Sequence, residues 1–353
     1  MSERSERTEG AARIARTGAE PQRGGGGGDP LVLLGEVRTG LLPASVALPT
    51  AEVAELLALL PGQRVLTRER PLALAISPTS AVGVDCQLAT VSRSESRVVG
   101  TVASHAAMVG GRVAQSSSAV RVVRAVDSNR RPWSHYLTQL GTVELIPRVG
   151  DDTAAAVDLS EGFLEASSST TLDLGSISDR LLTQVRTDAR LDRRPQLRTA
   201  ATRLRWAARV APRLQGEVRN RTLFAFRLED EATRSVRIMV PTVRDLAGVQ
   251  RFCEDLAVHD WLLTTLDAAL ADAGRLGPDR DAVALLSPLL EQLVHLWMPG
   301  AHTPQRLREL WTRLEADPGF SRQWTAQVGQ LRDRLAVATL EALRSSKIST
   351  AQW

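Results

Sequence analysis

Lysine is almost absent from this chain. The sequence holds 44 basic residues, of which only Lys347, near the C-terminus, is a lysine. A phosphate-binding P-loop, a Schiff-base enzyme and a Ser–Lys pair each need a lysine in the site. The scarcity of lysine therefore excludes these classes unless Lys347 itself serves.

Cysteine and long apolar runs are scarce as well. Cys86 and Cys253 lie far apart in the sequence, so we expect two reduced thiols and no disulfide framework. Uncharged stretches such as 71–84 are shorter than the roughly 20 residues of a membrane span, and the N-terminus lacks the apolar core of a secretory signal. We predict a cytoplasmic protein that has no membrane partner.

Composition changes along the chain predict four segments. Residues 1–30 are polar and end in a glycine run, so they cannot bury enough apolar area to fold. Short β-prone runs separated by Gly, Ser, Pro and Asn follow, with one early helix opening at Thr50. Residues 150–172 are expected to be a loose connection. The predicted division is a disordered tail at 1–30, a mostly β domain at 31–150, a linker with a helix at 151–199, and a β-meander with a helical bundle at 200–353.

Three stretches between 200 and 240 alternate arginine with apolar residues. Period-two alternation is typical of strands with one buried face. We therefore predict an α+β fold: a mostly β N-terminal domain with one early helix, then a three-stranded antiparallel sheet packed on a C-terminal helical bundle. The apolar residues expected beneath the helix predicted for 246–273 are Trp206, Phe224, Phe226, Val236 and Ile238.

The arginine face of that sheet is the leading candidate site. Residues 180–241 hold 15 Arg against 6 acidic residues, and guanidinium groups on neighbouring strands could bind phosphates or carboxylates. An acidic protein surface or a nucleic acid could bind there, or the face is only solvated. The aromatic residues lie on the opposite face, which argues against base stacking. The face consists of Arg203, Arg205, Arg209, Arg227 and Arg237, and we expect most of the guanidinium groups to be open to solvent.

Acidic residues and histidines at helical spacing form a second candidate, a polar cluster. Asp255 precedes His259 by four residues, as Glu291 precedes His295, and Asp260 adjoins the first pair. Two such pairs on adjacent helices could assemble a metal site. The spacing is also typical of surface ion pairs and of buried structural histidines. We predict no metal and no cofactor.

Nucleophilic chemistry has little support in the sequence. It contains neither Gly-x-Ser-x-Gly nor Ser-x-x-Lys. Cys86 could pair with His105 or His135, but a small buried cysteine is the common alternative. The aromatic cluster at 133–136 could line a pocket or pack a loop.

Seven segments together resemble an uncharacterised protein family of Streptomyces and related actinobacteria. The resemblance spans about 31–345. It implies a cytoplasmic protein that works with co-encoded partners, among them a variant P-loop protein and a methyltransferase-like protein, and it implies no reaction. The segments are LLGEVRTGLL at 33–42, GVDC at 83–86, PWSHY at 132–136, RLRW at 203–206, 252–263, HLWMPG at 295–300 and GFSRQW at 319–324.

Three functions follow as hypotheses. The preferred one is a non-catalytic component of a multi-protein system that binds a partner through the arginine face or the helical C-terminal region. The first alternative is an enzyme with a His/Cys/acid site of unknown chemistry. The second is a nucleic-acid-binding protein that uses the basic belt at 180–241. A histidine in a concave polar pocket would favour a site of chemical function over the interaction hypothesis.

Overall fold

The computed structural model describes residues 28–92, 96–127, 129–146, 151–165, 171–211, 222–276 and 280–350. Residues 1–27 of the tail predicted for 1–30 lie outside the described residues. The strands are β1 (Val32–Leu41), β2 (Leu66–Arg68), β3 (Leu74–Ile76), β4 (Ser80–Gln87), β5 (Arg97–Val109), β6 (Val113–Arg124), β7 (Thr142–Ile146), β8 (Thr202–Val210), β9 (Leu223–Leu228) and β10 (Thr233–Val240).

Helices lie between the strands and after them, and two short 3₁₀ turns, Val294–Leu296 and Gln305–Leu307, join the later helices. The α-helices are α1 (Thr50–Leu56), α2 (Trp133–Leu137), α3 (Asp152–Glu165), α4 (Leu174–Arg186), α5 (Val243–Leu246), α6 (Val249–Leu276), α7 (Arg280–Gln292), α8 (Arg308–Ala316) and α9 (Phe320–Thr350). Among the described residues, no helix is long and apolar enough to cross a membrane.

The ten strands within the described ranges join one sheet. Its order is β2-β3-β5-β7-β6-β1-β8-β10-β9, with β4 also paired to β5 and β5 to β6. Most pairs are antiparallel, whereas β6–β7 and β8–β10 are parallel. β1 lies in the middle and pairs along one edge with β6 and along the other with β8, so it joins the N-terminal strands to the C-terminal ones.

Helices cover both faces of the sheet. Side chains alternate between the two faces of β1. Val32 and Leu34 lie in the core shared with α3, and Val37 and Leu41 lie in the core shared with α6 on the opposite face. A further cluster packs α1 and α4 on the α3 side. The molecule is therefore a three-layer arrangement, with α1, α3 and α4 on one face and α6, backed by α7 to α9, on the other.

A glycine at the centre of β1 permits a close approach between β1 and β8. Gly35 lies opposite Trp206 in the strand register. A Cβ at position 35 would fall 2.2 Å from the Trp206 ring, well inside van der Waals contact. Trp206 is consequently fully buried over the glycine, and its indole packs in the core beneath α6.

The apolar half of the sequence prediction is confirmed. Trp206, Val236 and Ile238 are buried in one cluster with α6, while Phe224 and Phe226 pack against that cluster and are half-buried. The Phe224 and Phe252 rings meet edge to face, with their centroids 5.7 Å apart. Both cysteines are free, as expected.

The predicted three-stranded antiparallel sheet is wrong in two respects. β10 lies between β8 and β9 and runs parallel to β8, and β8 also pairs with β1. The alternating pattern determines which face of a strand is buried, but it carries no information about which strands become neighbours. The boundary predicted at 151–199 therefore does not separate two sheets.

The loose connection predicted for 150–172 is also wrong. Residues 152–165 form α3, which buries Ala155, Ala156, Leu159 and Phe163. The alanine-rich composition favours a helix. α3 packs on the sheet face that carries the arginines, and this position decides the environment of the leading candidate site.

Candidate functional site

The five arginines lie on one face of the sheet, as the alternation predicts. Arg205 on β8 lies opposite Ser235 on β10, and Ser235 in turn lies opposite Arg227 on β9. Arg237 lies opposite Ala207, which belongs to the core on the α3 side. The arginine face is therefore the face covered by α3 and α4.

A buried carboxylate holds the first of these arginines. Glu36 on β1 is 1% exposed, and Arg203 Nε lies 2.6 Å from its Oε1. Arg38 Nε is 3.3 Å from the same oxygen, and Arg205 Nε is 3.9 Å from Oε2. A carboxylate without solvent needs such partners, because an unpaired buried charge is costly.

Arg205 binds the end of α3. Its guanidinium donates to the carbonyl oxygens of Phe163 and Leu164 and lies 4.8 Å from the centre of the Phe163 ring. The C-terminal carbonyls of a helix carry partial negative charge, so a cation is favoured there. Arg237 fixes the same helix, donating from Nε to Glu161 Oε2 over 2.7 Å.

The expectation that most of these guanidinium groups face solvent is wrong. The side chains of Arg203, Arg205 and Arg237 are only 28%, 14% and 23% exposed. Arg209 is half-buried, and burial lowers the pKa of its guanidinium, while Arg227 is exposed. Strand alternation shows which face carries the arginines. It does not show that α3 and β1, which are distant in the sequence, bring acidic side chains and carbonyl groups to that face.

Asp255 and His259 lie in the core, where they belong to a structural hydrogen-bond network. His259 is 1% exposed; its Nδ1 donates to the Asp255 carbonyl over 2.7 Å, and its Nε2 accepts from the Met298 N–H over 3.1 Å. Burial lowers the pKa of His259, which fits this neutral ring. The Thr303 hydroxyl donates to Asp255 Oδ2 over 2.6 Å, so α6 is tied to the loop at 297–304.

Asp260 faces the sheet, where Arg234 Nε donates to its Oδ2 over 2.8 Å. Burial raises the pKa of Asp260 to about 6, and the Arg234 charge acts against that rise. Both side chains are more than nine-tenths buried. The pair joins α6 to β10 and has a structural role.

Glu291 and His295 do not belong to the same site. Glu291 lies on the exposed side of α7 and accepts from Ser287. His295 is exposed and lines a separate, mostly apolar cavity of about 260 Å³ beside the turn at Gly110 and Gly111. The second acid–histidine pair thus contributes to neither network on α6. Among the described residues, no group of three or more His, Cys, Asp or Glu could hold a metal ion.

A narrow cleft lies between α6 and the sheet, with a volume of about 20 Å³; we call it the α6 cleft. Leu74 and Ile76 of β3 and Val109 of β5 form an apolar wall, together with Val258 of α6. The volume is enough for about one group of the size of water.

The polar side of the α6 cleft comes from four segments. Arg251, Glu254 and Asp255 line it from α6, Gln115 from β6, Arg68 from the end of β2, and His302 from the loop before α8. Gln115 donates from Nε2 to the Glu254 carbonyl over 3.0 Å and to Thr39 Oγ1 over 2.9 Å, which fixes its amide.

Four polar atoms of the residues that line this cleft have no hydrogen-bond partner within the part of the chain that the structure describes. They are Asp255 Oδ1, Glu254 Oε1 and the two ring nitrogens of His302, and all are buried. His259 Nδ1 lies 3.6 Å from Asp255 Oδ1, beyond hydrogen-bond distance, and donates to the Asp255 carbonyl instead. Burial lowers the pKa of His302, although the Asp255 charge opposes the shift, so its ring is neutral at pH 7.

Glu254 Oε1 differs from the other three atoms because it has a close ionic partner. His105 Nε2 on β5 lies 3.1 Å from Glu254 Oε1, and the two side chains are 14% and 11% exposed. Burial alone lowers the pKa of His105, but the adjacent Glu254 carboxylate outweighs burial and raises it. The same pair lowers the pKa of Glu254 against the effect of burial.

Of the polar residues that line the cleft, the sequence patterns singled out Asp255 and gave no role to Arg68, Gln115, Arg251, Glu254 or His302. A signal for part of the site was present, because Gln115 is the one large polar residue in the buried run at 113–120 of β6, where the other residues are Val, Ala and Ser. The proposed Cys86 dyad gains no support, since burial and then Asp85 raise the pKa of that thiol. His135 pairs with Glu144 over 2.9 Å beside the Trp133–Tyr136 ring pair.

No protein-family model, no curated protein and no solved structure matches the chain.

Proposed function

We propose that the protein binds a small polar molecule in the α6 cleft. The observation that carries this proposal is the convergence of Asp255 Oδ1 and both His302 ring nitrogens, buried and without partners among the described residues, on one cleft. An unsatisfied buried polar group costs about 1–3 kcal/mol. A ligand that supplies the missing hydrogen bonds would remove this cost.

The histidine criterion derived from the sequence favours this function. His302 lies in a cleft that has charged side chains in its lining, while His259 is engaged in the core and His105 is paired with Glu254. Among the described residues that line the cleft there is no Ser, Thr, Cys or Lys nucleophile, so we propose binding as the function and assign no reaction.

A screen of small polar metabolites against the full chain tests the proposal. Ligands are detected by the rise in melting temperature that follows from binding to the folded state. We expect ligands that stabilise the wild type but stabilise Asp255→Asn and His302→Leu less. The matched control is Glu291→Gln, which neutralises an exposed carboxylate away from the cleft and should behave as the wild type. Absence of any stabilising ligand, or equal stabilisation of all variants, would overturn the proposal.

We also propose a second function, carried by a different observation: the protein is an interaction component that docks co-encoded proteins through its helical C-terminal region. On α9, Val337 and Leu340 are 50% and 56% exposed and lie three residues apart, on one side of the helix. The arginine face is a weaker docking surface, because α3 lies on it, and the same coverage weakens the nucleic-acid alternative.

Purified co-encoded proteins, the variant P-loop protein and the methyltransferase-like protein, test this second function in a pull-down with the full chain. We expect Val337→Asp with Leu340→Asp to abolish capture. Ala336→Asp with Thr339→Asp adds the same two charges to exposed positions of the same helix and should leave capture intact. Capture that survives the double change, or no capture by the wild type, contradicts the docking surface.

A further inference from the structure

We propose that the ligand of the α6 cleft is a small zwitterionic amino acid, with its ammonium group on Asp255 and His302 and its carboxylate on Arg68 and Arg251. This inference rests on the proposed ligand-binding function and adds the ligand class. It follows from the distribution of acceptors, cations and space in the cleft.

The inner end of the cleft offers acceptors. Asp255 is 3% exposed, and its Oδ2 already accepts from Thr303, so Oδ1 is the oxygen of this carboxylate that is left without a hydrogen bond. A neutral His302 ring presents one more acceptor nitrogen to the same space. The negative charge and the unpartnered acceptors together favour a ligand group that donates several hydrogen bonds and carries positive charge, which describes an ammonium group.

The mouth of the cleft offers cations. Arg68 and Arg251 are exposed and line the opening. Both lie close enough to act on His302. Burial lowers the pKa of its ring and the Asp255 charge raises it, and the charges of Arg68 and Arg251 lower it further. A simple amine would be repelled by these two guanidinium groups. A carboxylate beside the ammonium group removes that repulsion and gains charge-assisted hydrogen bonds.

The available space limits the size of the ligand. A volume of about 20 Å³ admits one group as large as water, so the ammonium group enters and the carboxylate remains at the mouth. The aliphatic side chains of Leu74, Ile76 and Val258 flank the polar groups and suit a small apolar substituent. Glycine and L-alanine therefore fit better than amino acids with charged side chains.

Calorimetric titration of the full chain with four probes tests the charge requirement. Glycine and L-alanine carry both charges, ethylamine carries only the positive charge, and propionate carries only the negative charge. We expect both zwitterions to bind more tightly than either single-charge probe. Asp255→Asn should weaken their binding roughly 10- to 100-fold, as expected for loss of one charge-assisted hydrogen bond, while Glu291→Gln should leave it unchanged.

A second variant keeps the test valid if Asp255→Asn does not fold. Arg68→Gln with Arg251→Gln changes exposed side chains, and it should weaken the zwitterions while strengthening ethylamine. No binding by glycine and L-alanine, or equal binding of propionate, overturns the zwitterion. If the metabolite screen still finds a ligand whose binding is weakened by Asp255→Asn, the proposed binding function stands and only the zwitterionic ligand class fails. If neither experiment finds a ligand, the cleft holds water and both proposals fail.

Discussion

At the scale of single residues, Gly35 cannot accept a side chain unless the Trp206 ring moves. The Gly35→Ala variant places a methyl group where the Trp206 ring lies, 2.2 Å away. Overpacking of this kind costs about 1–3 kcal/mol because the indole, held beneath α6, cannot move away. Urea unfolding of the variant and the wild type measures the difference.

Gly83 supplies the control for this prediction. A Cβ at Gly83 would lie 3.2 Å from the ring of Trp133, which is 38% exposed and can move outward. We expect Gly83→Ala to change the free energy of unfolding by less than Gly35→Ala. Similar effects of the two variants would mean that the Trp206 packing is not rigid.

The buried His105–Glu254 pair predicts a pH-dependent stability. The raised pKa of His105 means that its contribution is complete below its ordinary value of 6.5 and is lost as pH rises through the folded-state pKa. The lowered pKa of Glu254 means that its contribution is present above 4.5 and is lost as pH falls through the folded-state pKa. The pair therefore stabilises most between pH 4.5 and 6.5.

Replacing Glu254 with Gln removes the charge that holds the proton on His105. We expect the difference in melting temperature between wild type and Glu254→Gln to be largest between pH 4.5 and 6.5 and to shrink as pH rises through the folded-state pKa of His105. Melting curves over a pH series measure it, with Glu291→Gln as the exposed control. A difference that stays constant with pH would show that the pair is not ionised.

At the scale of elements, arginines of the arginine face bind α3 to the sheet, and one of them pairs with the buried carboxylate of Glu36 on β1. From the sequence alone, replacing two of its arginines with Gln should leave stability nearly unchanged or improve it slightly, because the cations would only repel one another. The structure reverses this expectation for Arg203, whose guanidinium pairs with the buried Glu36. We expect Arg203→Gln to cost about 1–3 kcal/mol, since it weakens the compensation of a buried charge.

The same face contains the matched control. Arg227 lies on the outer strand β9 and is exposed, so Arg227→Gln should change stability by no more than about 0.5 kcal/mol. Chemical denaturation of both variants decides the matter. If Arg203→Gln were as stable as Arg227→Gln, the sequence-based interpretation of a solvated face would be correct after all.

At the scale of the whole molecule, the pairing of β1 with β8 makes the two halves of the chain interdependent. The β1–β8 register covers Leu33–Thr39 on one strand and Thr202–Ala208 on the other. Neither half can lose this interface without exposing the central core. We predict one cooperative thermal transition, with equal calorimetric and van't Hoff enthalpies. Two resolved transitions would instead support independent N- and C-terminal domains.

The α6 cleft depends on the same union of halves. Residues of β3, β5 and β6 line it on the sheet side, and residues of α6 and of the loop that carries His302 line it on the opposite side. A ligand in the cleft would therefore touch segments on both sides of the sequence boundary predicted at 151–199, and its binding should raise the temperature of the whole transition.

The sequence by itself determined the local features of this protein. Alternation placed Arg203, Arg205 and Trp206 on their correct faces, and helical periodicity located α6, because both patterns depend only on neighbours along the chain. Only the tertiary structure decided that β10 lies parallel to β8, that α3 covers the arginines, and that Asp255 meets His302. These outcomes depend on which distant segments become neighbours, and period and composition do not encode that choice.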